Sequence, residues 1–245
     1  MKISVAFIVY NGSQYLLTQI DSILDQTLNV NEIIVYDDAS SDNTKEILDE
    51  YKNKHPNLFF IHYNNQNIGP TKNIEKAIQA CTGELILLAD QDDYWEAHKV
   101  ETIVKWFEQN PTMNGVFTNG SLMNSKEELD NKYSLWDAMS FPYKTIKSKN
   151  ELNNNLKLYI NTVENCITGA TLAFRNNLPW GVEYRPYFRG FPNKKVCQGS
   201  RIKFAARFGF DSTVSISALS SSVITSSASM VMTQSCLQYA RARFR

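Results

Sequence analysis

The apolar run Leu85-Ile86-Leu87-Leu88-Ala89 leads directly into Asp90-Gln91-Asp92-Asp93, so a segment that reads as a buried strand carries three carboxylates at its end. Acids this close repel one another unless a cation or a hydrogen-bonding ligand offsets them, and hard divalent ions such as Mg²⁺ or Mn²⁺ take oxygen ligands. A metal-bridged phosphate is the chemistry such a cluster would serve. The plainer alternative is a cap on the helix expected from about Ala97, but a cap needs one acid and three are present. Asp37-Asp38 lies about fifty residues earlier, again at the end of an apolar run. Carboxylates there can accept hydrogen bonds from ribose hydroxyls or a base N–H. Their plainer reading is a turn, because Asp38-Ala39-Ser40-Ser41-Asp42 is rich in turn and cap formers.

The elements that must present these acids follow from periodicity. Residues 4–10 predict a strand ended by the turn pair Asn11-Gly12. Leu16, Leu17, Ile20, Ile23 and Leu24 keep helical spacing and predict a helix with one face on the sheet. Residues 32–36 predict a second strand, after which Ser41 or Asp42 is placed to cap a helix carrying Ile47, Leu48 and Tyr51 inward. Residues 58–62 predict a third strand, followed by Asn67-Ile68-Gly69-Pro70. Ile74, Ala77 and Ile78 then mark a helix running to about Cys81, with Gly83 as its stop. Beyond the aspartate-tipped fourth strand, Val100, Ile103, Val104 and Phe107 define a helix ended by Asn110-Pro111, and residues 115–118 predict a fifth strand. This alternation predicts an α/β fold, a mostly parallel sheet flanked by helices. Ligands of such sheets bind outside the carboxyl ends of the strands, so both acid clusters face one crevice, one suited to a base or ribose and the other to a metal.

Bulk properties narrow the classes. The 245 residues have a formal net charge of +0, so no electrostatic footprint for nucleic acid appears. The apolar run after Met1-Lys2 is too short for a secretory core, and no run approaches a membrane span. Cys81, Cys166, Cys197 and Cys236 show no C-x-x-C spacing, which argues against zinc and for reduced thiols. The expected site of work is the cytoplasm, with peripheral association at the inner face of a membrane as an open alternative. No G-x-G-x-x-G and no P-loop follows the first strand, so phosphates would be neutralised mainly by metal, which directs attention to Asp92. A nucleotidyltransferase would carry a Gly-rich, Lys- or Arg-bearing loop where Tyr10-Asn11-Gly12-Ser13 stands.

Residues 5–12, 19–27 and 32–44, with Asn67-Ile68-Gly69 and Asp90-Gln91-Asp92-Asp93, together strongly resemble family 2 glycosyltransferases of the GT-A (Rossmann-like) fold. The rhamnosyltransferase-like branch is the most similar. The resemblance covers residues 1–177 and is weakest over 119–161. It implies an inverting, metal-dependent transfer of a sugar from a nucleotide-diphosphate sugar to a hydroxyl of a glycan or lipid-linked acceptor, in the synthesis of cell-surface polysaccharide. It further implies that Tyr10, Asp38, Asp90 and Gln91 bind the donor nucleotide. Asp90-Gln91-Asp92 would be the D-x-D motif, and Asp92 the ligand of Mg²⁺ or Mn²⁺. Residues 168–174 resemble the strand that helps form the acceptor side.

After Asn177 the chain departs from this pattern. A helix bearing an acidic base is expected there, yet residues 178–245 contain only Glu183 and Asp211 as acids. Arginine, absent before Arg175, recurs, and a serine-rich run spans 212–229. Two readings of this atypical tail stand. Either the reading frame shifts near Leu178, leaving an inactive glycosyltransferase-like core with an unrelated end, or the tail is a divergent acceptor module with Glu183 or Asp211 as base. Among the remaining residues, Tyr94 and Trp95 either border the sugar or pack on the next helix. Lys72 and His98 read as surface residues. The stretch 119–149, including Trp136, reads as a lid over the donor.

Overall fold

The computed structural model describes residues 1–123, 129–138, 169–176, 216–219 and 230–232. In chain order the first half runs β1 (Ile3–Val9), α1 (Leu16–Leu24), β2 (Glu32–Asp37), α2 (Thr44–Lys54), β3 (Phe59–Tyr63), α3 (Pro70–Ala80) and β4 (Leu85–Asp90). There follow β5 (Asp93–Trp95), α4 (Lys99–Gln109), β6 (Gly115–Thr118), β7 (Ser121–Met123), β8 (Leu129–Ser134) and α5 (Leu135–Ala138). A 3-10 turn, Gly169–Thr171, leads into β9 (Leu172–Arg175), and two short strands, β10 (Ile216–Leu219) and β11 (Met230–Met232), complete the described set.

The main sheet has seven strands in the order β10-β6-β9-β4-β1-β2-β3. Strands β4, β1, β2 and β3 are mutually parallel, as their helical connections require. β9 runs antiparallel between β4 and β6. A smaller sheet, β5-β11-β7-β8, stands beside it. The expected mostly parallel α/β sheet is the observed one, and the strand expected at residues 115–118 is β6, with the short β5 preceding it.

Both faces of the central strands are covered, which is why β1 and β4 are nearly unbroken apolar runs. On one face Val5, Phe7 and Val9 join Ile33, Val35, Leu85 and Leu87. Leu16, Ile20 and Ile23 of α1, Leu48 and Tyr51 of α2 and Val100, Ile103 and Phe107 of α4 pack there. The alternate residues Ala6, Ile8, Ile34, Ile86 and Leu88 are buried on the other face, as are Ile74, Ala77 and Ile78 of α3. Burying each large aliphatic side chain is worth about 2 kcal/mol, so this two-sided core holds the strand ends rigidly in register.

Three local expectations are corrected. Leu17 is 49% exposed and belongs to the outer face of α1. The N-cap of α2 is Asn43; Asp42 lies one residue earlier and still accepts the Thr44 N–H at 3.1 Å. Gly83 is not the stop of α3, which ends at Ala80 with Cys81 as C-cap. Its role is close approach: a Cβ there would lie 2.5 Å from Ser4 Oγ and 2.9 Å from the Lys2 carbonyl. The stretch 119–149, expected as a lid, contains β7, β8 and α5, with the Trp136 ring 5.6 Å from that of Phe117 in the core; residues 124–128 and 139–149 lie outside the described ones. Among the described residues no helix is long and apolar enough to cross a membrane.

Candidate functional site

Strand register gathers the two acid clusters. Val9 of β1 pairs with Asp37 of β2, and Ile8 pairs with Asp90 of β4. Asp37-Asp38 and Asp90 therefore leave the sheet at the same end with only β1 between them, two strand spacings or about 10 Å apart. This is the carboxyl end of the parallel strands, where open α/β sheets bind ligands.

The loops at that end are tied together by side chains bonding to backbone. The amide of Gln91 accepts the Tyr10 N–H at 2.7 Å and donates to the Tyr10 carbonyl at 3.0 Å, as a neighbouring strand would. Gly12 must be glycine for this, since a Cβ would lie 2.5 Å from Gln91 Oε1. From the other side, Asn11 N–H donates to Ser40 Oγ (2.8 Å), Gly12 N–H to Thr44 Oγ1 (2.9 Å) and Ser13 N–H to Asp42 (3.1 Å). The Tyr10 ring stands 47% exposed at the rim.

Asp38 is only 2% exposed, and its carboxylate is turned toward the next loop. It accepts Ile68 N–H (2.9 Å), Gly69 N–H (2.9 Å) and Asn64 Nδ2 (3.0 Å). Gly69 has φ +85°, a left-handed conformation that glycine adopts without strain, and Pro70 begins α3 directly after it. Asp37 accepts the Ser40 N–H at 3.1 Å and its hydroxyl, closing the Asp37–Ser40 turn, in which Ala39 sits at φ +61°.

The acids at the end of β4 and the start of β5 form the second cluster. Asp90 and Asp92 are half-buried, whereas Asp93 is 6% exposed and its Oδ2 accepts no hydrogen bond. Burial, and then the charge of Asp92, push the Asp90 carboxyl up to about 7. Burial, then Asp92 and Asp90, push Asp93 well above the usual carboxylate range. The opposing charge is Lys99, 2% exposed in the first turn of α4. Its ammonium donates to the Ala170 carbonyl at 2.9 Å and lies 3.9 Å from the centre of the Trp95 ring. Burial pulls Lys99 down to about 7, against Asp93 and Asp90.

Helix α1 fixes this acid loop from below. Trp95 N–H donates to Ser22 Oγ at 3.0 Å. The Gln26 side chain donates to the Ser22 and Glu96 carbonyls, both at 2.9 Å, and accepts the Val100 N–H at 2.9 Å. Ser22 of α1 and Gln26 just beyond its end thus anchor Trp95, Glu96 and Val100, the segment that directly follows the acids.

A divalent ion fits this arrangement. Among the described residues no three acidic, His or Cys side chains form a ready-made ligand set. Mg²⁺ is characteristically held by one or two carboxylates, with substrate phosphates and water supplying the rest. The buried Asp93 carboxyl has an oxygen without a donor, and burial and neighbouring charge drive both it and Asp90 toward protonation, so added positive charge is favourable there.

The structure thus brings Tyr10, Asp38, Asp90, Gln91 and Asp92 to one end of the sheet. Glu183 and Asp211, the candidate bases, lie outside the described residues. Trp95 is buried against Lys99, Tyr94 is exposed, and Lys72 and His98 are surface residues. Periodicity did not single out Lys99, Ser22 or Gln26. Lys99 had a signal: it occupies the apolar stripe of its helix, one turn before Ile103.

A β1 tip tied to the loops on both sides and acids at the end of β4 form a ligand crevice of the open α/β kind, and comparison with known proteins specifies the family. Residues 4–172 match the model of Glycosyl transferase family 2, and the chain belongs to that family. Chondroitin synthase of Escherichia coli is 30% identical over 138 residues, 56% of this chain and 20% of that protein. Poly(ribitol-phosphate) beta-glucosyltransferase of Bacillus spizizenii is 34% identical over 124 residues, 50% of this chain and 19% of that protein. The matched region thus spans about a fifth of the length of each of these relatives. Among solved structures, S. aureus TarS superimposes with a TM-score of 0.59 at 22% identity, over 95% of this chain and 37% of that one. TarS 1-349 in complex with UDP gives 0.53 at 22% identity, over 72% and 47%. These likenesses establish the GT-A fold.

Proposed function

We propose that this chain transfers a sugar from a nucleotide-diphosphate sugar to a hydroxyl of a glycan or lipid-linked acceptor, with inversion and with a divalent ion held at Asp92. The observation that carries the reading is the acid cluster at the end of β4, with its undonated Asp93 Oδ2, two strands from the Asp38 loop. The names of the relatives support a polysaccharide or wall-polymer setting, and S. aureus TarS has been crystallised with UDP and with UDP-GlcNAc.

In this reading the nucleoside lies across the tip of β1. Tyr10 offers its exposed ring to the base, and Gln91 keeps that tip in place through its two bonds to the Tyr10 backbone. Asp38 works by holding Ile68 and Gly69 as one wall of the nucleoside pocket. Asp90 faces the ribose, and Asp92 would hold the ion. Held there, a divalent ion would supply positive charge to offset that of the departing nucleoside diphosphate. The acceptor oxygen forms the new bond to the anomeric carbon as the bond from that carbon to the phosphate oxygen breaks, and the hydroxyl proton passes to a base on the acceptor side. Glu183 and Asp211 are the candidates for that base. The reaction is placed in the cytoplasm, at the membrane face when the acceptor is lipid-linked.

Calorimetric titration of UDP, dTDP and GDP into the full chain tests this, with Mn²⁺, with EDTA and in Asp92→Asn. The expected result is binding of one nucleotide that needs Mn²⁺ and weakens at least tenfold in the variant. Metal-independent binding, or no binding by folded protein, sinks it.

A further inference from the structure

The buried cation of the acid cluster has no part in the transfer just described. Lys99 is 2% exposed, so its ammonium was taken out of water, a cost of several kcal/mol unless charges and hydrogen bonds compensate. Among the described residues the compensation comes from charge, an aromatic ring and a carbonyl. Asp90 and Asp93 supply negative charge, the Trp95 ring lies beneath the ammonium at 3.9 Å, and the Ala170 carbonyl accepts a hydrogen bond from it at 2.9 Å. These partners belong to different parts of the molecule. Asp90 ends β4, Asp93 and Trp95 form β5, and Ala170 lies in the turn that feeds β9, the antiparallel strand inserted between β4 and β6. Val100, Ile103 and Phe107, which flank Lys99 on α4, belong to the apolar core.

We infer that Lys99 is a positioning residue that bridges the acid cluster to the Gly169–Thr171 turn and, as an internal counter-cation, limits the cluster to one divalent ion. Three carboxylates and one ammonium carry two net negative charges when ionised, which one divalent cation balances. Without the ammonium the same pocket attracts cations more strongly, and the turn before β9 loses its tether. The inference deepens the metal-dependent reading above and rests on it for the ion, while the tether to the turn rests on the Ala170 hydrogen bond and the Trp95 contact.

Mn²⁺ titration of the full chain, Lys99→Met and Lys99→Arg, with hydrogen exchange at residues 169–171, tests both halves. Lys99→Met is expected to bind Mn²⁺ at least tenfold more tightly or to take a second ion, with faster exchange at the turn. Lys99→Arg, which keeps the charge, should stay within threefold of the parent. A folded Lys99→Met with unchanged or weaker Mn²⁺ binding overturns the proposal, as does an Arg variant that shifts as far as Met. Because Lys99→Met leaves buried acids without their cation, the double variant Lys99→Met/Asp93→Asn is made alongside. It is expected to melt several degrees above Lys99→Met; a melting point equal to or below it also overturns the bridge. If the parent binds no Mn²⁺ with or without nucleotide, the transferase reading falls, and the melting temperatures still judge Lys99.

Discussion

The side chain of Gln91 pairs with both backbone groups of Tyr10, accepting its N–H at 2.7 Å and donating to its carbonyl at 3.0 Å. The middle residue of the Asp90-Gln91-Asp92 motif is therefore committed to the protein, and its effect on a nucleotide passes through the position of Tyr10. Gln91→Ala removes two hydrogen bonds, worth about 2 kcal/mol of loop order, and should weaken nucleotide binding roughly tenfold without unfolding the chain. Gly12→Ala should weaken it similarly, because its Cβ would meet Gln91 Oε1 at 2.5 Å. The double variant should bind no worse than Gln91→Ala, since the obstacle is gone; a calorimetric cycle in which the two losses add would refute the clasp.

Asp38 makes a prediction about a loop it does not belong to. Its carboxylate accepts the N–H groups of Ile68 and Gly69, both at 2.9 Å, and charge-assisted bonds of this kind are the stronger sort. In Asp38→Ala those amides lose their acceptor. Their hydrogen exchange should quicken at least tenfold and stability should fall by on the order of 3 kcal/mol. Unchanged exchange at residues 68 and 69 would show that the loop is held by something else.

What could be read from the sequence depended on whether the partners were neighbours in it. β4 announced itself because a strand covered on both faces is an unbroken apolar run, and the acids after Ala89 had to lie at its carboxyl end. The helices were legible from their apolar stripes. Leu17 misled because it sits beside the stripe rather than on it, and Gly83 because close approach to Ser4 and a helix stop both call for glycine. The insertion of β9 antiparallel between β4 and β6 left no trace in periodicity, which fixes a strand's faces and not its neighbours. The clasps at Gln91, Gln26 and Asp38 were hidden for a related reason: each receives or donates to backbone, which every residue possesses. Lys99 reads as a solvated lysine until the acids that surround it are placed.

Cation binding should depend on pH in a direction set by Asp90. Its carboxyl is pushed up to about 7, first by burial and then by Asp92, so in the folded chain it holds a proton over a range where an exposed aspartate would not. Such a group contributes stability that is fully present below its unfolded pKa of 3.8 and is lost as pH rises through about 7. Mn²⁺ reverses that loss by pairing with the ionised form. The rise in melting temperature on adding Mn²⁺ should therefore be clearly larger at pH 8 than at pH 6. An equal rise at both would exclude proton competition at this cluster.

At the opposite end of the sheet, Glu32 should govern acid stability without touching the site. Burial works to raise its carboxyl, but hydrogen bonds from Ser4, from both the N–H and hydroxyl of Thr82, and from Lys2 outweigh burial and hold it at about 2. Ser4 Oγ and Thr82 N–H each reach it at 2.6 Å, and Ser4 Oγ in turn accepts the Gly83 N–H at 2.7 Å. A lowered carboxyl stabilises above its unfolded value of 4.5, and that stability is lost as pH falls through about 2. The contribution at neutral pH is on the order of 3 kcal/mol. Glu32→Gln should remove most of it and flatten the fall in denaturant stability between pH 5 and pH 2, while nucleotide affinity stays within twofold, because this latch lies at the opposite end of β1 from the Tyr10 tip. A variant whose stability still falls as steeply in that interval would show that other carboxyls set the acid limit.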